Sequence, residues 1–177
     1  MDNLNSQPNW WKNCVFYQIY PTSFADSNSD GIGDLNGIYQ HLEYLEWLGV
    51  QAIWINPFYP SPMKDGGYDI QDYNNINPLL GNLDDFDKLL SKAHSKNIRI
   101  IIDWVANHTS DQHPWFIESR SSLHNPKRDW YIWRDKPNNW QPDLGHSSAW
   151  ELDTSSGRTT CIATYPNNPI LIGATQK

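Results

Sequence analysis

The sequence predicts an α/β fold built on parallel strands. Two observations predict it. Short β-branched or aromatic runs alternate with longer runs at helical spacing, and the alternation continues until the periodicity stops after Asp103. "VFYQIY", Val15 to Tyr20, reads as the first strand. "LNGIYQHLEYLEWLG" follows, with Ile38, Leu42, Leu45 and Leu48 at helical spacing and Gly49 placed to stop the helix. "QAIWI", Gln51 to Ile55, is a second short apolar strand. "LDDFDKLLSKAHSKN" sets Phe86, Leu89, Leu90 and Ala93 on one helical face. Asp84 and Asp85 stand where the helix dipole favours negative charge, and Asn97 suits the stop. "IRIIID", Ile98 to Asp103, is a third strand, continuously apolar as expected when both faces are buried. Parallel strands joined this way need right-handed crossovers, and both a doubly wound sheet and a (β/α)8 barrel begin so. His108 to Trp150, rich in Trp, Pro, Asn and Asp, reads as an irregular, loop-heavy excursion.

Composition narrows the function classes. The chain has 177 residues, 19% charged and 14% aromatic, which is the composition of a folded domain and not of a disordered one. A net charge of −7 argues against nucleic acid or an anionic membrane as the partner. No apolar run of about 20 residues is present to span a membrane. The opening "MDNLNSQPNWWKN" lacks the basic and apolar regions of a signal peptide, and Cys14 and Cys161 do not make a disulfide framework or a zinc site. The expectation is a cytoplasmic protein with reduced thiols and no defined protein partner. The ten tryptophans fit a large core, a sugar-stacking surface, or both.

The stretch "ADSNSDGIGDLNGI", Ala25 to Ile38, concentrates like charge. With Asp26 as position one, Asn28, Asp30, Ile32 and Asp34 fall at three, five, seven and nine, with Gly31 at six. Side-chain oxygens at one, three and five, a carbonyl at seven and a glycine at the sharp turn suit a hard cation. Position twelve is Gly37 and not Glu, so the EF-hand pattern fails. The expectation is one Ca²⁺, with Mg²⁺ second, held by Asp26, Asn28, Asp30, the Ile32 carbonyl and Asp34. The plainer alternative is an Asp/Asn/Gly turn that caps the following helix.

In parallel α/β folds, functional side chains gather at the carboxyl ends of strands. "DWVANHTSD" carries Asp103 and His108, and "KDGGYD" carries Asp65, Tyr68 and Asp69. A tyrosine ring stacks on a sugar, and carboxylates accept from its hydroxyls. The plainer alternatives are a hydrogen-bonded histidine and a glycine-rich turn with surface acids. No Ser-His-Asp array or phosphate loop appears.

Taken together, "FYQIYPTSFADSNSDGIGDLNGI", "YLEWLGVQAIWINPFYPSPMKDGGYDIQDY", "LGNLDDFDKLLSKAHSKNIRIIIDWVANHTSDQHPWF" and "WYIWRDKPNNW" resemble the α-amylase superfamily, glycoside hydrolase family 13, and within it the α-glucosidase/oligo-1,6-glucosidase group. The resemblance implies the N-terminal part of a (β/α)8 TIM barrel, its first three βα units, over residues 1–107. It implies the start of an inserted domain B over 108–157. It implies retaining hydrolysis of terminal α-glucosidic bonds in short malto- and isomalto-oligosaccharides. Asp65, Tyr68 and His108 look like the residues that hold the non-reducing glucose, Asp103 like a carboxylate that braces the site, and Asp26 to Asp34 like the family's metal loop.

The carboxylate nucleophile and general acid of that mechanism, about 5–5.5 Å apart, lie on later strands, so the chain alone is expected to be inactive. Residues 158–177 fit nothing in the family. The expectation is a one-base deletion at the codon of Arg158, since restoring the base permits a frame that resembles the family's continuation; the alternative is a genuine divergent terminus. A trehalose synthase-like transglycosylase and a non-catalytic sugar-binding remnant are the alternatives.

Overall fold

The computed structural model describes residues 8–141, 148–154, 156, 158–161 and 169–170. The chain forms two compact units, residues 1–58 with 75–104, and residues 59–74 with 105–177. The second unit thus takes a segment, 59–74, that the linear order of the sequence assigns to residues 1–107.

In the first unit, β1 (Phe16–Ile19), β2 (Ala52–Ile55) and β3 (Arg99–Ile102) form a parallel sheet in the order β1-β2-β3. Phe16 pairs with Ala52 and Ala52 with Arg99, and the register continues without slip to Ile19, Ile55 and Ile102. Helices α1 (Pro21–Phe24), α2 (Leu35–Gln40) and α3 (Leu42–Trp47) connect β1 to β2, and α4 (Leu83–Ser95) precedes β3. The predicted single helix over 35–49 is therefore two. His41, at φ −98° and ψ 7°, interrupts it, and its Nδ1 lies 2.8 Å from the Gly37 carbonyl. Ile38, Leu42 and Leu45 are fully buried, as the spacing predicts, whereas Leu48 is exposed. Gly49 (φ +85°) and Asn97 (φ +58°) stop their helices in the left-handed conformation.

Helix α4 opens with a reciprocal cap. Asn82 accepts from the Asp85 amide, and the Asp85 side chain accepts from the Asn82 amide. Leu89 and Ala93 are fully buried, and Phe86 stacks on Phe58 with ring centres 5.2 Å apart.

Strand β3 departs from expectation. Its apolar run predicts burial on both faces, yet Ile100 and Ile101 are half-buried and Ile102 is exposed. The central strand β2 instead buries Ala52, Ile53 and Ile55 completely. The reason is position. Strands β1 and β3 are the sheet's edges, and among the described residues neither has a neighbour on its outer side.

The second unit is more ordered than an irregular excursion. It contains α5 (Pro114–Ser121) and an antiparallel sheet of β4 (Trp133–Arg134), β5 (Trp150–Asp153) and β6 (Arg158–Cys161) in the order β4-β6-β5. Five of the ten tryptophans lie in this unit. Trp115 meets Trp130 edge to face, Phe116 stacks on Trp133, and Trp140 stacks on Trp150. The Arg128 guanidinium lies 3.9 Å over the Trp133 ring. Aromatic packing supplies the core that hydrophobic periodicity does not announce.

Candidate functional site

The site-bearing loop grows out of a tight turn. Gly66 (φ +58°) and Gly67 (φ +101°) occupy the two central positions of Asp65–Tyr68, and the Tyr68 amide donates to the Asp65 carbonyl at 2.9 Å. Two consecutive left-handed residues make a type I′ turn, which glycines adopt without steric cost. The turn presents Asp65 and Tyr68, both half-buried, side by side.

His108 closes the other side of this turn. Its Nε2 lies 3.2 Å from the Tyr68 carbonyl and its Nδ1 lies 3.2 Å from Asn107 Oδ1. A carbonyl only accepts, so Nε2 carries a proton; the neutral ring then leaves Nδ1 as an acceptor, which Asn107 satisfies with its amide turned to present Nδ2 in place of Oδ1. Burial lowers the His108 pKa, against the opposing pull of the Tyr68 carbonyl and the Asp69 charge. The Ser110 amide donates to the Ile70 carbonyl at 2.9 Å, and the Tyr73 hydroxyl lies 2.8 Å from the carbonyl oxygens of both Val105 and His108. Burial pushes the Tyr73 hydroxyl pKa up, so it stays protonated as an anchor between the two segments.

The structure thus brings Asp65, Tyr68 and His108 together within one unit. Asp69, grouped with them as a ligand-gripping acid on sequence, is corrected. It is fully buried, and its carboxylate accepts from Ser61 Oγ, the Lys64 amide and the Asp65 amide. Its oxygens face the loop's own backbone. Asp103 belongs to the first unit, just past β3. It is half-buried, and Trp54 Nε1 donates to its Oδ1 at 2.5 Å. Ser61, Tyr73 and His113 also shape the second-unit loops without a motif that marks them. His113 caps α5, its Nδ1 accepting from the Trp115 amide at 3.1 Å.

The aspartate loop in the first unit is a series of side-chain-to-backbone turns. Asp26 accepts from the amides of Asn28, Ser29 and Gly31, Asn28 Oδ1 from the Asp30 amide, and Asp30 Oδ1 from the Ile32 amide. The Gly31 amide leads these donors in holding the Asp26 carboxyl below its usual pKa. The oxygens at positions one, three and five therefore line one tight loop. Asp34 is committed elsewhere. Its Oδ1 accepts from the Gly37 amide as the cap of α2, and its Oδ2 accepts from the Ser27 amide and hydroxyl. Among the described residues, no three His, Cys, Asp or Glu side chains converge as a metal cluster. The side-chain oxygens of Asp26, Asn28 and Asp30 share one loop, while Asp34 is turned to Ser27 and the cap of α2. Gly37 is obligatory here, since a Cβ on it would lie 2.0 Å from the Ala25 carbonyl oxygen.

These loops at the ends of parallel strands sit on a chain whose residues 18–162 match the alpha-amylase catalytic domain. The chain belongs to the α-amylase family. Curated relatives in this family include the probable oligo-1,6-glucosidase 3 of Bacillus subtilis strain 168, 54% identical over an alignment of 154 residues that covers 84% of this chain and 28% of the relative. The glucan 1,6-alpha-glucosidase of Streptococcus dysgalactiae subsp. equisimilis is 53% identical over 152 residues, 86% of this chain and 28% of the relative. Among solved structures, the isomaltulose synthase of Erwinia rhapontici NX5 superposes with a TM-score of 0.89 at 52% identity, covering 94% of this chain and 31% of that one. The chain spans under a third of the length of these α-amylase-family proteins. Its three parallel βα units are part of the family's (β/α) barrel. Among the described residues, no helix is long and apolar enough to cross a membrane.

Proposed function

We propose that this chain supplies the part of an α-glucosidase-type glycoside hydrolase that holds a terminal glucose. The convergence of Asp65, Tyr68 and His108 on one glycine turn carries the reading. An Asp65 carboxylate accepts from adjacent sugar hydroxyls, and the Tyr68 ring offers an apolar face. Burial favours the neutral form of His108, and its Nε2, 3.2 Å from the Tyr68 carbonyl, is the donor that turns to a sugar hydroxyl in this reading. Asp103, fixed by Trp54, braces the end of β3. Bond cleavage in such a hydrolase is the work of two further carboxylates, and these residues bind and do not cleave.

The likeness to isomaltulose synthases favours a second reading, in which the same glucose site serves transfer to another sugar. Maltose titrated into the 177-residue chain, followed by ligand-observed NMR, tests the shared part. Weak saturable binding is expected, lost by about tenfold or more in Asp65→Asn and in His108→Ala. Equal binding by both variants and the parent would overturn it. Grafting the chain onto the remainder of a relative and analysing products separates hydrolysis from transfer.

We further propose that the aspartate loop takes Ca²⁺ through Asp26, Asn28, Asp30 and the Ile32 carbonyl. Such an ion would neutralise neighbouring carboxylates and stiffen the entry to α2.

A further inference from the structure

The loop that presents Asp65 is held by a carboxylate with no exposed surface. We propose that Asp69 is a positioning residue, which sets the place from which Asp65 meets a sugar and does not itself touch the sugar. This rests on the glucoside-binding reading of Asp65. Asp69 has no exposed surface. Its Oδ1 accepts from Ser61 Oγ at 2.6 Å and the Asp65 amide at 3.2 Å, and its Oδ2 accepts from the Lys64 amide at 2.9 Å. Ser61 Oγ in turn accepts from the Met63 amide at 2.9 Å. Met63 stands at φ +60°, a left-handed conformation that an unbranched residue other than glycine, Asn or Asp seldom adopts. Such a conformation persists only where the surroundings over-determine it, and it concentrates at ligand-binding loops. Asp69 and Ser61 supply that determination, and the chain of bonds ends on the backbone of Asp65.

The same geometry predicts how substitutions differ. Asp69→Ala removes every acceptor. Asp69→Asn keeps one oxygen, which still serves Ser61 and Asp65, while its amide nitrogen opposes the Lys64 amide, donor against donor. Hydrogen exchange on the 177-residue chain is therefore expected to accelerate on the order of tenfold at both Lys64 and Asp65 in Asp69→Ala, and at Lys64 alone in Asp69→Asn, with Leu89 in α4 unchanged. Maltose affinity, measured in a cycle with Asp65→Asn, supplies the decisive readout. Asp69→Ala is expected to weaken binding, and the double variant to be no weaker than Asp65→Asn alone, because Asp69 acts through Asp65. Losses that add would mean that Asp69 touches the sugar, and would overturn the proposal. So would unchanged exchange at Lys64 and Asp65 in Asp69→Ala. Absence of maltose binding by the parent chain, with Lys64 and Asp65 released in Asp69→Ala, would overturn the glucoside reading and leave the positioning role supported.

Discussion

Three side chains in the second unit are polar, buried and adjacent to the candidate site, and each has a different task. Asp69 holds backbone, His108 backs the turn at Tyr68, and His113 caps α5 beneath the Tyr73 and Trp115 rings. His113 performs that task only as a neutral ring, because the cap uses the lone pair of Nδ1. Burial lowers its pKa, and the nearby Asp72 charge opposes the shift. A histidine depressed in the folded state binds fewer protons there than in the unfolded chain, so its stabilisation is complete above the ordinary histidine pKa of about 6.5 and falls away as the pH drops toward the folded-state value. His108 is shifted in the same direction and adds to the effect. The melting midpoint is expected to fall between about pH 7.5 and about pH 5, and His113→Asn, which keeps an acceptor but does not titrate, to remove part of that fall. Parallel pH profiles for the parent and His113→Asn would contradict the assignment.

At the scale of elements, two loops that look alike on composition behave differently. "KDGGYD" uses its glycines for left-handed conformation and buries an acid beneath the turn. "ADSNSDGIGD" keeps Asp26 and Asp30 exposed, with their oxygens on a tight ring of amides, and turns Asp34 inward to cap α2. Electrostatic repulsion between the exposed acids is relieved in part by those amides, and a bound divalent cation would relieve the rest. Titration calorimetry on metal-stripped protein is expected to show heat for Ca²⁺ at or below the millimolar range and a weaker response to Mg²⁺. Asp30→Ala should abolish the Ca²⁺ signal, whereas Asp34→Ser, which keeps an N-cap acceptor, should retain most of it. No heat at millimolar Ca²⁺ would sink the cation and leave the loop as a cap alone.

For the molecule as a whole, the first unit's sheet sets the behaviour in solution. Among the described residues its edge strands β1 and β3 have no outer neighbour, and Val15, Phe16 and Ile102 lie exposed beside them. Such edges template pairing with another chain. A barrel of this kind removes its edges by closure over about 250 residues, and the three described strands do not close on themselves. Sedimentation velocity of the 177-residue chain is expected to show association that rises with concentration. A single monomer boundary at every concentration, with a cooperative melt, would count against the open-edge account.

Local physics written in the order of residues determined much of this protein. The three strands and the helices between them follow from apolar spacing, and the helix stops at Gly49 and Asn97 from their tolerance of left-handed φ. The gathering of Asp65 and Tyr68 on one turn follows from the glycine pair between them. What the sequence could not convey depends on contacts distant along the chain. Asp69 and Asp65 carry the same side chain four residues apart, and only the tertiary structure makes one fully buried and the other half-buried. Ile102 belongs to an apolar run that reads as interior, and only its place on a sheet edge exposes it. The break at His41, the second unit's aromatic core and the inward turn of Asp34 were likewise decided by packing, because no period or motif encodes which neighbours a side chain will meet.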